Sequence, residues 1–228
     1  MKAVILIAGI GSRLGRSMPK CLSEIPGRET ILERQIRLLK KHADEIVGVV
    51  GFKKELIMEA FPHILYVYNP RFTTTNTSKS LLCAFELLEP DDILWVNGDV
   101  VFSEEALGKV ALCDENAMAV EYKECGQEEV KVEVDTEGYV KRVSKTVKGV
   151  GEAVGVNKIT RHSFEVFREA LRKCDARDYF EKAVEMTIER GHRFKAVDVG
   201  LGSCIEVDFP EDLTKAWSLF EGENNLEH

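Results

Sequence analysis

Four short apolar runs, AVILIA, EIVGVVG, HILYVYN and DILWVNGD, pace the first half of the chain, and each is followed by a stretch with helical spacing. AVILIA and EIVGVVG lack the in–out alternation of a half-wet sheet and fit strands buried on both faces, and HILYVYN and DILWVNGD read as the third and fourth strands. Between them, TILERQIRLLKKH, KKELIMEAF, NTSKSLLCAFELLE and SEEALGKVAL read as helices. Thr30 and Glu33 have the spacing of a capping box, and Ser103 precedes two acids as an N-cap would. Regular alternation of strand and helix predicts an α/β fold, a mostly parallel sheet with helices on both faces. In such sheets ligands bind beyond the carboxyl ends of the strands. The glycine loop after the first run and Asn97-Gly98-Asp99 after the fourth are therefore predicted to share one rim.

The second half has a different rhythm. EVKVEVDTEGYVKRVS alternates from residue 129 to 144 and reads as a β-hairpin turning near Glu137-Gly138. GEAVGVNKI continues as a strand, followed by helical spacing over about 162–173 and 178–190. FKAVDV and SCIEVD are short strands, and Pro210, Glu211 and Asp212 suit the first turn of a closing helix. Without a repeat or a long linker, residues 1–225 read as a single domain. A nucleotide-binding half, 1–120, is joined to an acceptor-binding half, 121–225. Leu226-Glu227-His228 resembles the start of a purification tag and is set aside. At 228 residues and 44% apolar content the chain can bury a sizeable core. A net charge of -8 argues against a nucleic-acid binder that works by neutralising phosphates. No apolar run is long enough to span a bilayer. Met1-Lys2 leads straight into a strand, and six widely spaced cysteines include no Cys-x-x-Cys pair. A cytoplasmic protein with free thiols is expected.

The loop itself, LIAGIGSRLGRSMPK, combines glycines with cationic residues. A glycine loop between a buried strand and a helix offers backbone N–H groups to phosphate. It is not a P-loop, because no Gly-Lys-Ser/Thr is present. Nor is it a dinucleotide fingerprint, because Gly9, Gly11 and Gly15 are spaced one residue too long and the second strand ends in Val50-Gly51 instead of an acid. The third reading is a loop that wraps a nucleoside triphosphate, with Arg13 and Lys20 supplying charge.

AGIGSRLG followed by MPKCL resembles the signature of the sugar-phosphate nucleotidyltransferases, A-G-x-G-x-R-L/M and then P-K-x-L. Within that superfamily the chain is most similar to the small cytidylyltransferases acting on inositol 1-phosphate or phosphocholine. NTSKSL, NGDVVF and IEVDFPEDL resemble three further blocks of the family, in order along nearly the whole chain. The resemblance implies a Rossmann-like nucleotidyltransferase fold and Mg²⁺-dependent transfer of a cytidylyl group from CTP to a small phosphorylated alcohol. It also implies roles. Arg13 and Lys20 contact the triphosphate. Asp99 and Asp208 hold Mg²⁺. Ala8, Gly9, Gly11 and Ser12, with Asn76 and Ser80, bind the nucleotide. Read from the residues alone, Asp208 also fits an N-cap or Asx turn before Pro210, a role compatible with binding metal, and Asn76 caps the following helix as readily as it touches a base.

The acceptor is expected to meet Lys145 or Lys158 at its phosphate, with Lys145 preferred and counted among the catalytic cations. Asp198 and Glu206 are expected to shape its pocket. No aromatic cluster stands out for a choline, and Lys79 occupies a position where choline-using relatives often carry an aromatic residue. Inositol 1-phosphate is therefore the first acceptor, with phosphocholine and sugar 1-phosphates as alternatives. A nucleotide-binding regulatory domain without turnover is the rival class.

Overall fold

The computed structural model describes residues 1–11, 18–217 and 219. Its main sheet starts with β1 (Lys2–Ile7), β2 (Glu45–Val50), β3 (Leu65–Tyr68) and β4 (Ile93–Asn97), which pair in parallel in the order β3-β2-β1-β4. Helices α1 (Ile31–Leu39), α2 (Lys54–Ala60) and α3 (Thr77–Phe85) make the crossovers. Side chains of β1 alternate between two cores. Ala3, Ile5 and Ile7 pack with Leu32 and Ile36 of α1 and Ile57 of α2, whereas Val4 and Leu6, with Ala8 just past the strand, pack with Leu81, Ala84 and Phe85 of α3. Burial of β1 on both faces is what its unbroken apolar run demands, whereas β3, at the edge of the sheet, has no buried residue and leaves Leu65 and Tyr68 exposed.

Past β4 the sheet turns mixed. β9 (Gly151–Ile159) lies antiparallel between β4 and β6 (Asn116–Glu121), and β10 (Phe194–Asp198) pairs in parallel with β6 at the edge. The hairpin β7 (Lys131–Val134) and β8 (Val140–Ser144) joins β9 through β7. Both halves of the chain thus contribute strands to one nine-stranded sheet. α4 (Glu104–Ala111) packs on the α1 side, and α5 (Phe164–Lys173) and α6 (Phe180–Ile188) pack on the α3 side around Trp95. The capping box at Thr30–Glu33 and the Ser103 cap form as the sequence predicts.

One small element decides where the chemistry sits. β5 (Val100–Phe102) and β11 (Cys204–Glu206) form a separate two-stranded antiparallel ribbon, followed by α7 (Pro210–Ala216). Val207 N donates to Asp99 O at 2.8 Å. The ribbon carries the end of the chain back to the carboxyl end of β4. Its own core is Ile25, Ile31, Val101, Val207, Leu213 and Ala216. Among the described residues, no helix is long and apolar enough to cross a membrane.

Candidate active site

The rim predicted for the glycine loop and Asn97-Gly98-Asp99 exists. β1 and β4 approach so closely there that a Cβ on Gly98 would lie 2.3 Å from Ile7 Cγ2 and 2.6 Å from Leu6 O. Gly11 has φ +61 and lies against Lys20, whose Cβ would be 3.0 Å from a Cβ added there. Two adjoining hollows share Leu6, Gly9, Asp99 and Asp208. The smaller lies against Gly11, Pro19, Lys20 and Gly98. The larger, about 910 Å³, runs past Ala8, Asn76 and Ser80 to the acids of the second half. That volume is at the upper end of what small-molecule sites occupy.

The ribbon brings Asp99 and Asp208 together from opposite ends of the sequence. With Glu206 they form a group whose carboxylate oxygens lie within 4.8 Å of one another. Lys20 bridges two of them, Nζ donating to Asp99 Oδ2 at 2.9 Å and to Asp208 Oδ1 at 2.7 Å. Burial works against the charge on Lys20, but the two carboxylates outweigh it and hold the ammonium above its ordinary range. Glu206 lies in the cleft, open to solvent but crowded by protein. That crowding, and then the charges of Asp99 and Asp208, push its carboxyl up to about 7. Three hard oxygen donors in a concave site fit a small divalent cation such as Mg²⁺. The cap reading of Asp208 does not hold. Asp212 Oδ2 accepts from Asp208 N at 3.1 Å and Phe209 N at 2.9 Å, so Asp212 closes the start of α7 at Phe209, while Asp208 Oδ1 accepts from Lys20.

On the nucleotide side, Asn76 caps α3, its Oδ1 accepting from Thr77 N at 2.9 Å, and it also lines the cleft. The cap and cleft readings of Asn76 are therefore compatible. Ser80 Oγ accepts from Asn69 Nδ2 at 3.1 Å. Ser12 and Arg13 lie outside the described residues. Cys21 borders the smaller hollow, but burial pushes its thiol to about 12, so it offers no nucleophile there.

The residues expected to meet the acceptor divide. Lys145 and Glu206 line the cleft. Lys145 Nζ meets Glu128 at 3.2 Å and sits 5.8 Å from the centre of the Tyr179 ring. Lys158 does not reach the cleft. It is buried, and its Nζ donates to Ala111 O at 3.0 Å and Cys113 O at 2.6 Å, satisfying the carbonyl end of α4. Asp198 is also elsewhere, its Oδ1 accepting from Gly200 N at 2.9 Å in an exposed turn. Lys79 donates to Leu171 O and Arg172 O at the end of α5. Lys79 is thus engaged by the end of α5 and does not line the cleft.

Three groups at the site were not read from the sequence. Gln35 Nε2 donates to Asn97 O at 2.8 Å and Val100 O at 2.7 Å, holding the segment that carries Asp99. The signal was available, since Gln35 is three or four residues from Ile31, Leu32, Leu38 and Leu39 and so lies on the apolar face of its helix. Asn69, at the end of β3, fixes both Ser80 and Thr75 through its Nδ2. Glu181, in the first turn of α6, is only 8% exposed and lines the larger hollow. Burial pushes its carboxyl from an ordinary 4.5 to about 7. A carboxyl raised in the folded state supports the fold below its unfolded value and loses that contribution as pH climbs through the folded one. Glu181→Gln, which does not titrate, is expected to gain about 2–3 kcal/mol on the wild type between about pH 5 and about pH 8 in denaturant unfolding. A difference independent of pH would mean that Glu181 titrates as an ordinary surface acid.

Comparison with known proteins bears on the same regions. The family profile described as the MobA-like NTP transferase domain matches residues 3–178. The chain is 30% identical over 240 residues to a CMP-5'-(3-aminopropyl)phosphonate synthase of Streptomyces rubellomurinus, a match covering 95% of this chain and 38% of that protein. The chain thus spans less than two-fifths of that relative. The inositol-1-phosphate CTP transferase from T. maritima has the same fold, with a TM-score of 0.78 at 19% identity over 97% of this chain and 96% of that one. The CTP:phosphocholine cytidylyltransferase from Streptococcus pneumoniae also has a TM-score of 0.78, at 21% identity over 96% and 98% of the two chains.

Proposed function

The chain belongs to the MobA-like NTP transferase family, and from that premise we propose that it transfers the cytidylyl group of CTP to a small acceptor ending in a phosphate, giving a CDP-linked product and pyrophosphate. An ionised oxygen of the acceptor attacks the α-phosphorus. The bond from that phosphorus to the bridging oxygen breaks, and pyrophosphate leaves with the electron pair. The nucleophile is already an anion at neutral pH, so no general base is needed. The protein's task is to hold two anions together and to stabilise charge on the leaving group.

The observation that carries this reading is the meeting of Lys20, Asp99 and Asp208 beside the glycine loop, with Glu206 in reach. Asp99 and Asp208 are the residues to hold Mg²⁺, with Glu206 as a third donor. The metal, when bound, supplies a Lewis acid at the phosphates. Lys20 supplies a point charge to the triphosphate, and Arg13, assigned from the sequence, supplies a planar fork. Ala8, Gly9 and Gly11 line the two hollows and are the backbone positions to meet the nucleotide. Asn76 and Ser80 offer an amide and a hydroxyl that match the polar edge of cytosine. Lys145, on the far side of the cleft, is the cation for the acceptor phosphate.

Inositol 1-phosphate is one acceptor to test. The name of the Streptomyces relative joins CMP to a phosphonate, so phosphonates, which would give CMP-linked products, belong beside phosphomonoesters in the panel. Purified protein with Mg²⁺ is expected to release pyrophosphate from CTP about tenfold or more faster than from ATP, GTP or UTP, once an acceptor is present. Equal release from all four nucleotides would remove the assignment of the base. Tight nucleotide binding without pyrophosphate from any acceptor would favour a regulatory domain instead.

A further inference from the structure

Where the larger hollow passes Ala8 and Asn76, its wall includes Thr75 and Ser80. Both are held by Asn69, which is only 2% exposed and does not itself line the hollow. The Asn69 amide has one orientation. The backbone N–H of Arg71 donates to Asn69 Oδ1 at 2.9 Å, so the NH₂ end faces the two hydroxyls, Thr75 Oγ1 and Ser80 Oγ, each at 3.1 Å. The main chain of Asn69 is fixed as well, its N donating to Val50 O at 2.9 Å. Both hydroxyls therefore act as acceptors toward Asn69, and they differ in where their own hydrogens go. Thr75 Oγ1 donates to Arg71 O at 2.8 Å and is complete. The Ser80 hydroxyl hydrogen has no acceptor among the described residues, although Ser80 is only 7% exposed. A buried donor without an acceptor is costly to a fold, and native proteins leave few of them. An unconstrained serine can donate to a ligand or accept from it. Asn69 keeps the hydrogen of Ser80 turned away from the amide and leaves it to donate into the hollow.

We propose that Asn69 is a positioning residue for base selection: it holds the Ser80 hydroxyl as a hydrogen-bond donor, and that donor meets the unprotonated ring nitrogen N3 of cytosine. This rests on the cytidylyl-transfer reading above. The polar edge of cytosine runs from the acceptor O2 through the acceptor N3 to the amine on C4. Uracil keeps O2 but carries a hydrogen on N3 and an oxygen on C4. A fixed donor opposite C4 would repel the cytosine amine and favour uracil. Opposite O2 it would treat the two bases alike. Opposite N3 it pairs with cytosine and confronts a second hydrogen in uracil, so it selects cytosine both by attraction and by repulsion. Asn76 is less able to make this choice. Its Oδ1 accepts from Thr77 N and its Nδ2 donates to Arg177 O at 3.3 Å, so it keeps both a donor and an acceptor to offer and can serve either base.

The test measures, by calorimetry on the whole protein with Mg²⁺, the binding of CTP, UTP and 3-deaza-CTP, in which a C–H replaces N3. The wild type is expected to bind CTP about tenfold or more tightly than either of the others. Asn69→Asp keeps the shape of the side chain and the contact to Arg71 N, but its second oxygen can only accept. The Ser80 hydroxyl then donates to the new carboxylate and offers a lone pair to the base, so the preference for CTP over UTP is expected to fall to about one or to invert. Asn69→Ala, which frees the hydroxyl, should bring the preference toward one without inverting it. Ser80→Ala should also bring it to about one, and adding Asn69→Asp to Ser80→Ala should change it no further, because Asn69 acts through Ser80. A merely structural role would lower stability and leave these ratios in place. A preference for CTP that survives both Asn69→Asp and Asn69→Ala, or 3-deaza-CTP bound as tightly as CTP, overturns the inference and leaves cytidylyl transfer standing. CTP and UTP bound alike by the wild type, or neither bound, overturns both.

Discussion

Asp99→Ala is expected to lower pyrophosphate release by about a thousandfold or more, with the fold intact. Asp99 leaves the carboxyl end of β4 on a short turn, and three independent contacts fix that turn. Gln35 holds Asn97 O and Val100 O, Gly98 N donates to Leu6 O at 3.0 Å, and Val207 N donates to Asp99 O. All of these are backbone anchors that survive loss of the carboxylate. What is lost is one of the three oxygens that converge with Lys20. Stability should change little, because Asp99 is a repulsive neighbour of Glu206 as well as a partner of Lys20. Asp99→Asn separates the two contributions, keeping the shape and a neutral oxygen while removing the charge. It should fall nearly as far in turnover, since a hard divalent cation prefers the anionic ligand. The measurement pairs steady-state pyrophosphate release with thermal unfolding of each variant. Turnover within about tenfold of the wild type in Asp99→Ala would mean that the metal is held elsewhere or is not required.

Much of this architecture was legible, and the reasons are local. The parallel strands β1, β2 and β4 announce themselves because a strand covered on both faces must be apolar throughout, and the caps at Thr30 and Ser103 because helix ends need specific side-chain acceptors. The hairpin shows because one of its faces is wet. β6 was not read as a strand. Its NAMAVE sequence is fully buried, but it starts and ends on polar residues and lacks a turn signal. SCIEVD reads as a strand and forms β11, but β5 and the pairing of the two were missed for a different reason. Each strand has three residues, and its register, Val100 against Glu206, is set by packing of α7 and by the core around Ile31 and Leu213. That ribbon is what makes Asp99 and Asp208 neighbours. Their pairing was therefore reached through family resemblance and not through spacing. Lys158 shows the opposite failure. A lysine in VGVNKI, among residues that read as a buried strand, carried the signal that its charge would be used internally, and it caps α4. Glu181 looked like one more acid on a charged helix, because EKAVEMTIER does not reveal which turn enters the cleft.

Lys20→Met is expected to separate metal binding from catalysis, moving them in opposite directions. In the structure the Lys20 ammonium lies between Asp99 and Asp208, side chain 12% exposed, at the position where a divalent cation would share the same two oxygens. Ammonium and metal therefore compete until a triphosphate supplies negative charge for both. Replacing the lysine by an isosteric apolar side chain leaves three clustered carboxyls without that cation. The free protein should bind Mn²⁺ about tenfold more tightly than the wild type, an amount set by the loss of a partly screened charge pair. Turnover should fall by about a hundredfold or more, with a higher KM for CTP, because the triphosphate loses a cation that the tighter metal does not replace. Lys20→Arg should rescue little. A guanidinium is wider than an ammonium and delivers its donors in a plane, while the two carboxylate oxygens are gripped by a single nitrogen at 2.9 and 2.7 Å. Mn²⁺ titration of the nucleotide-free protein, followed by paramagnetic resonance, reads the first effect, and steady-state kinetics reads the second. Unchanged Mn²⁺ affinity in Lys20→Met would place the metal away from the Asp99–Asp208 pair. Unchanged KM for CTP would free Lys20 from the triphosphate and leave it as a structural clasp between the ribbon and the glycine loop.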